Sequence, residues 1–278
     1  MKKEHFAWLE NVDEHEWKFD FSMDKWQSDE DLDIAIEKMY SKPEMAKEIF
    51  VSLVAAYPYH FDAYHHLALI LGYEGKYKEA LNLRKIGVEN GFSLFPKNFD
   101  MNKDKLEWGW LENRPFLRLL HGLAIDYSST LNDSKKELEI YEQLMKFDPD
   151  DHQGCRCNAV DCYLELNLTD KILELGKRYK GTIDPEILYG KVLAYLIMNS
   201  TTNAKESLMK AIKELPKVAE QITDKDHKKP KISKEMEGYV SVGGKDQAYY
   251  YWKEYGKYWE GTDGAIELVN ECLKRQKR

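Results

Sequence analysis

Apolar and polar positions along most of the chain alternate with the period of an α-helix. Between residues 62 and 80, Tyr64, Leu67, Ala68 and Leu71 fall on one helical face. Gly75 follows them and is suited to a tight turn, because glycine accepts backbone conformations that other residues avoid. A second helical pattern begins directly after it. The segment therefore predicts two helices joined by a short turn.

This helix pair recurs along the chain. Ala46 precedes Ala80 by 34 residues, and Pro149 and Pro216 are 67 residues apart, close to two such periods. A helix pair that cannot bury its own apolar face has to stack on a copy of itself. The spacing therefore predicts four repeats, preceded by a partial one from about 28 to 58, in an all-α helical-hairpin solenoid.

The landmarks between 62 and 87 resemble the tetratricopeptide repeat, and residues 112–118, 148–156 and 243–250 are similar to motifs of a prokaryotic tetratricopeptide (TPR) subgroup. The similarity extends less closely to the suppression-of-tumorigenicity-7 protein. It implies a right-handed TPR-like solenoid with a helical C-terminal cap and brings no established activity with it. Asn132 departs from the pattern, since it stands where the repeat usually has its turn glycine.

Three regions are predicted: an acidic, aromatic N-terminal segment (1–27), the solenoid (28–216) with an insertion at 92–113, and a linker with the C-terminal cap (217–278). The insertion has no sustained helical period. We interpret its apolar residues as a strap over the solenoid edge: Phe92, Leu94, Phe95 and Phe99. The cap is predicted from an aromatic stripe: Tyr251, Trp252, Tyr255 and Trp259.

Composition narrows the function classes. The net charge is −8, and residues 10–37 contain eleven acids against two lysines, so this part of the chain is read as a solvated acidic segment. Nucleic-acid binding is not expected, because phosphate contacts require a basic face. The lysines around 228–231 are interpreted as a solvated loop. No apolar run approaches the ~18 residues of a membrane span, so we expect a cytoplasmic chain without membrane contact.

Catalytic motifs are lacking. Gly243-Gly244-Lys245 lacks the earlier glycine and the following Ser or Thr of a phosphate loop. Cys155, Cys157 and Cys162 suggest a zinc site, but all three cannot converge from one helix, and we expect them to be reduced and metal-free. The chain is predicted to be a non-enzyme without cofactor. A hydrolytic or metal-dependent enzyme and a peptide-responsive regulator remain as alternatives.

The favoured function is a protein- or peptide-binding scaffold; the sequence does not indicate an oligomeric state. The resemblance implies that residues one step beyond the helix-pairing face line the concave groove of the solenoid. Their mixed chemistry predicts a bound segment with an apolar anchor and an acidic or carboxylate group. The candidate groove residues are His65, Leu69, Tyr73, Arg118, His121, Ile125, Arg156 and Tyr189.

Overall fold

The computed structural model describes residues 7–21, 25–231 and 238–276. Within them the chain forms two compact units, Met1–Cys155 and Arg156–Arg278. The first unit opens with strands β1 (Ala7–Asp13) and β2 (Glu16–Phe21). Its helices are α1 (Lys25–Lys38), α2 (Pro43–Ala56), α3 (Phe61–Tyr73), α4 (Tyr77–Ser93), α5 (Arg114–Leu131) and α6 (Ser134–Phe147).

The second unit is built from helices throughout its described part. They are α7 (Cys155–Glu165), α8 (Thr169–Arg178), α9 (Pro185–Ile197), α10 (Thr201–Glu214), α11 (Pro216–Ile222), α12 (Lys245–Gly261) and α13 (Ala265–Gln276).

The turns inside the helix pairs share one backbone solution. Gly75, Asn167 and Asn199 each take a left-handed conformation, with φ between 57° and 75°. In each case the next residue donates its N–H to a carbonyl five positions back, at 2.7–2.8 Å. This pattern ends a helix by satisfying a carbonyl that would otherwise lack a partner. Asn132 is also left-handed, so asparagine replaces the turn glycine in these repeats.

Small residues set the helix crossings in the first unit. Each helix from α1 to α5 packs against the helix that follows it in the chain, and α3 also contacts α5. Ala46, Ala68 and Ala80 are buried in a common core with Phe50 and Leu67. The 34-residue spacing of Ala46 and Ala80 therefore marks equivalent packing positions, as the repeat predicted. The fold class, a TPR-like helical-hairpin solenoid, is confirmed.

The N-terminal segment differs from its prediction. It forms an antiparallel hairpin whose register pairs Leu9 with Phe19, and the Trp17 and Phe19 side chains are buried. The Phe19 N–H donates to Asn113 Oδ1 at 2.9 Å, and Asn113 Nδ2 donates to the Trp17 carbonyl at 3.1 Å. Residues 10–21 are therefore not a freely solvated acidic segment, because alternate side chains of β2 enter the core of the unit. Residues 1–6 and 22–24 lie outside the described part.

The insertion contributes to the same core. Phe95 and Phe99 contact each other with ring centroids 4.5 Å apart, and both pack near Phe147 of α6. Phe99 also contacts Trp17, and Phe95 contacts Phe116 at the start of α5. The apolar residues thus pack over the helices, as the strap interpretation predicted.

The predicted C-terminal cap is also confirmed. Tyr251, Tyr255 and Trp259 of α12 are buried, and Trp259 Nε1 donates to the Tyr251 hydroxyl at 2.9 Å. Helix α12 packs on α11, α13 and α9. The division into compact units falls at Cys155, inside the predicted solenoid, while the predicted region boundaries stay a prediction.

Candidate functional site: the first-helix face of the N-terminal unit

Six of the eight predicted groove residues lie on two neighbouring helices. His65, Leu69 and Tyr73 are on α3, and α5 carries the other three: Arg118, His121 and Ile125. These are the first helices of consecutive pairs, and α3 contacts α5 directly. We call the surface formed by α1, α3 and α5 the first-helix face.

Apolar side chains are exposed on this face. Tyr73 is 70% exposed and Ile125 is 48% exposed, while Leu69 is partly buried against the core. Tyr40, at the end of α1, is 80% exposed, and its ring centroid lies 6.5 Å from that of Tyr73. Tyr73 of α3, Ile125 of α5 and Tyr40, two residues beyond the end of α1, are therefore open to solvent.

Arg118 is held by a carboxylate of its own unit. Its Nε and Nη2 both donate to Asp62, with the shortest N–O distance 2.7 Å. The guanidinium also lies 5.9 Å from the ring centre of Trp108. Such a forked contact satisfies the guanidinium. A partner carboxylate would therefore compete with Asp62 for Arg118, whose place in the groove stays a prediction.

The two histidines of the face are neutral at physiological pH. Burial, followed by the nearby charge of Arg84, lowers the pKa of His65 to about 3. Burial likewise lowers the pKa of His121. Because burial disfavours the charged imidazolium, neither ring provides a cation for an acidic ligand.

A buried ion pair lies close to His65. Arg84 of α4 reaches Asp126 of α5, with Nη1 and Oδ2 2.6 Å apart and both side chains mostly buried. Its path crosses α5 at Gly122, where an added Cβ would lie only 2.7 Å from Arg84 Nε. Glycine at this position therefore allows the guanidinium to pass.

The remaining two predicted residues are in the C-terminal unit. Arg156 Nε donates to Asp184 at 2.7 Å, and its guanidinium lies 5.3 Å from the ring centre of Tyr179. Tyr189 is completely buried and its hydroxyl donates to the Leu215 carbonyl at 2.8 Å. The prediction that Tyr189 lines a groove is wrong, since the side chain belongs to the core.

The cysteines offer little nucleophilic character. Cys155 and Cys162 are buried and form no disulfide, and burial is the largest cause that raises the pKa of Cys155 and Cys157. A raised pKa disfavours the thiolate, which is the reactive and metal-binding form. Within 7–21, 25–231 and 238–276, no group of three or more His, Cys, Asp or Glu side chains is placed to hold a metal ion.

Residues 32–253 match the family described as transcriptional repressor TCF25. The chain belongs to this family. No curated protein shows significant similarity to this chain. In the described part, none of the helices of this family member has the length and apolar character needed to cross a membrane.

Three solved TPR-containing structures are similar at low identity. YrrB, a TPR protein with an unusual peptide-binding site, is 16% identical, with a TM-score of 0.48 over 67% of this chain and 85% of YrrB. A chain of the Naa15/Naa10 complex bound to HypK-THB is 16% identical, with a TM-score of 0.45 over 91% of this chain and 35% of the matched chain. The TPR2AB domain of yeast Sti1 with pHSP90 is 15% identical, with a TM-score of 0.33 over 91% of this chain and 96% of the matched chain.

Sequence reasoning missed two kinds of residue, an exposed tyrosine and the acidic partners of the two arginines. Tyr40 precedes Tyr73 by 33 residues, and this near-repeat spacing was a signal that could have found it. Asp62 and Asp184, the partners of the two arginines, lie far from them along the chain. No local pattern announces such long-range pairs.

Proposed function

We propose that the chain is a non-enzymatic scaffold and that its first-helix face binds an extended or helical segment of another protein. The observation that carries the proposal is the exposure of Tyr73 on α3, Ile125 on α5 and Tyr40 just beyond the end of α1. Single exposed apolar residues are common on protein surfaces. Tyr40 and Tyr73 adjoin each other, which supports a binding surface because contiguous exposed apolar groups often mark interaction sites.

Fewer kinds of partner segment fit the first-helix face than the sequence suggested. Arg118 and Arg156 are paired with carboxylates of the chain, and His65 and His121 are neutral. Recognition of an acidic group would have to break an existing ion pair. We therefore propose a segment that presents apolar or aromatic anchors to the two tyrosines, which can supply a large contact area.

The family description suggests a setting for this scaffold. The family is named for a transcriptional repressor. The net charge of this chain is −8, which disfavours broad contact with DNA phosphates. We propose that any role in repression is exercised through a bound protein.

A pull-down from the source cell tests the scaffold proposal. The baits are the wild-type chain, the double variant Tyr40→Ala/Tyr73→Ala and the control Tyr239→Ala. Tyr239 is an equally exposed tyrosine of the other unit, at 69%. We expect a protein retained by wild type and control to be lost from the double variant, with unchanged helicity in all three.

The loss should correspond to about 1 kcal/mol or more for each tyrosine when the captured protein is titrated directly. Equal affinity of all three baits would remove the first-helix face as the site.

A further inference from the structure

A lysine-rich cleft lies in the C-terminal unit, and none of its lining residues is among those proposed for protein binding. It has a volume of about 430 Å³ and is bounded by α11, residues 223–231 and the first turn of α12. Two acids, Glu220 and Asp224, are in its wall. The five lysines of the wall are Lys217, Lys228, Lys229, Lys231 and Lys245.

Internal ion pairs leave part of this positive charge uncompensated. Lys217 pairs with Glu220 at 2.7 Å, and Lys228 pairs with Asp226 at 2.8 Å. The other three lysines, Lys229, Lys231 and Lys245, have no ion-pair partner in the described part of the chain. Counting Glu220, Asp224 and Asp226 against the five lysines leaves a net charge of +2 at this cleft, on a chain whose net charge is −8.

The nature of the wall discriminates between anionic ligands. Among the described residues of the wall there is no arginine, so they lack the planar fork that pairs best with a carboxylate. The described wall residues also include no aromatic side chain, and the ring of Trp252 nearby is already stacked on His227 with centroids 3.9 Å apart. A nucleobase would therefore find no stacking surface in the wall.

Lysine is well suited to phosphate as a flexible point charge. The volume lies in the range of small-molecule sites, roughly 300–1,000 Å³. We propose that this cleft binds the clustered phosphate groups of a small polyanion. The ligand is either a soluble polyphosphorylated molecule or the phosphorylated headgroup of a lipid, which share the same recognition chemistry.

Calorimetric titration of the full chain with inorganic tripolyphosphate tests the proposal. The test variant is the triple substitution Lys229→Gln/Lys231→Gln/Lys245→Gln. The control, Lys177→Gln/Lys180→Gln/Lys213→Gln, removes the same charge from exposed lysines of the same unit outside the cleft. We expect saturable binding to the wild type, and weakening by about tenfold or more in the test variant only, because close opposite charges are removed.

The proposal would be overturned if the wild type did not bind tripolyphosphate. It would also be overturned if both triple variants lost affinity for tripolyphosphate equally. Tighter cleft-dependent binding of an RNA oligonucleotide or of polyglutamate of equal charge would overturn it as well, since each would indicate a different ligand class. Vesicles containing a phosphorylated inositol lipid distinguish the two sources. Cleft-dependent vesicle binding that tripolyphosphate displaces supports the headgroup, whereas tripolyphosphate binding without vesicle binding supports the soluble ligand.

Discussion

Gly122 shows how one missing side chain shapes the centre of the N-terminal unit. A Cβ at this position would lie 2.7 Å from Arg84 Nε and 3.2 Å from His65 Nδ1. The Arg84 guanidinium is mostly buried and bound to Asp126 at 2.6 Å, so it has little freedom to move aside. Space at Gly122 and the ion pair therefore depend on each other.

Gly122→Ala is expected to lower the free energy of unfolding by about 2 kcal/mol or more, because it displaces one partner of a buried pair. Urea unfolding of four proteins measures the effect: wild type, Gly122→Ala, Arg84→Met and the double variant. The glycine substitution should be less damaging when Arg84 is already absent. Identical losses in both backgrounds would show that the guanidinium does not set the requirement for glycine.

His65 makes stability depend on pH. Its pKa falls from 6.5 to about 3 in the folded chain, through burial first and then the charge of Arg84. The unfolded state therefore binds more protons between these values. The stabilisation is complete above about pH 6.5 and is lost as the pH falls towards 3, by up to about 1.4 kcal/mol per pH unit.

The free energy of unfolding should therefore fall more between pH 7 and pH 5 for the wild type than for His65→Gln. The glutamine has no proton to gain in this range. His66 and His121, whose pKa values are also lowered by burial, remain in both proteins and do not affect the comparison. Equal losses between the two pH values would contradict a lowered pKa at His65.

At the scale of the helix pair, the left-handed turn residue is the critical position. Gly75 has φ 75° and open space around its Cα, so an alanine there is strained by its backbone conformation alone. Gly72 lies three residues earlier, inside α3, and also has open space. Gly75→Ala should destabilise by about 1 kcal/mol, whereas Gly72→Ala should stabilise by roughly 0.5–1 kcal/mol through helix propensity.

Thermal and urea unfolding of the two single variants distinguish conformational strain from a general intolerance of side chains at this end of α3. Destabilisation by both substitutions would point to crowding, which the geometry does not show.

Repeats were readable from the sequence because their signal is local. Helical period, small crossing residues and turn glycines all lie within one 34-residue unit, so the helix pairs were predicted. Asn167 and Asn199 were harder to recognise as turn residues, because asparagine adopts the left-handed conformation less generally than glycine. The hairpin was missed although Trp17, Phe19 and Phe21 alternate with polar residues, which is the period of a strand.

The site was less predictable because its decisive contacts are non-local. The groove residues were predicted one position beyond the helix-pairing face. This prediction assumes that each first helix leaves one side unpacked. It holds for Tyr73 and Ile125, which are exposed. It fails at Tyr189, because α9 packs on α8, α10 and α12, and Leu193 on the same helix is buried as well.

At the scale of the N-terminal unit, the β-hairpin, the insertion and the helices form one structure around Asp104. Trp17 Nε1 donates to its carboxylate at 2.9 Å, and His15 Nδ1 lies 2.6 Å from it. The backbone N–H of Asp100 also donates to it, at 2.9 Å. Burial alone would raise the pKa of Asp104, but these hydrogen bonds outweigh it and lower the pKa. The carboxylate thus links the hairpin to the insertion.

Two tryptophans of the hairpin allow a matched test of this linkage. Trp17 is buried against Phe99, with ring centroids 5.5 Å apart, whereas Trp8 on β1 is 45% exposed. Trp17→Ala should lower the free energy of unfolding by about 3 kcal/mol or more, as expected for a buried aromatic side chain, and Trp8→Ala by far less. Loss of Trp17 also removes a donor from Asp104 and uncovers the aromatic residues of the insertion. Binding of a hydrophobic dye and protease cleavage within 94–113 should therefore increase in Trp17→Ala alone. Equal stability and equal dye binding of the two variants would mean that the hairpin lies on the unit without supporting it.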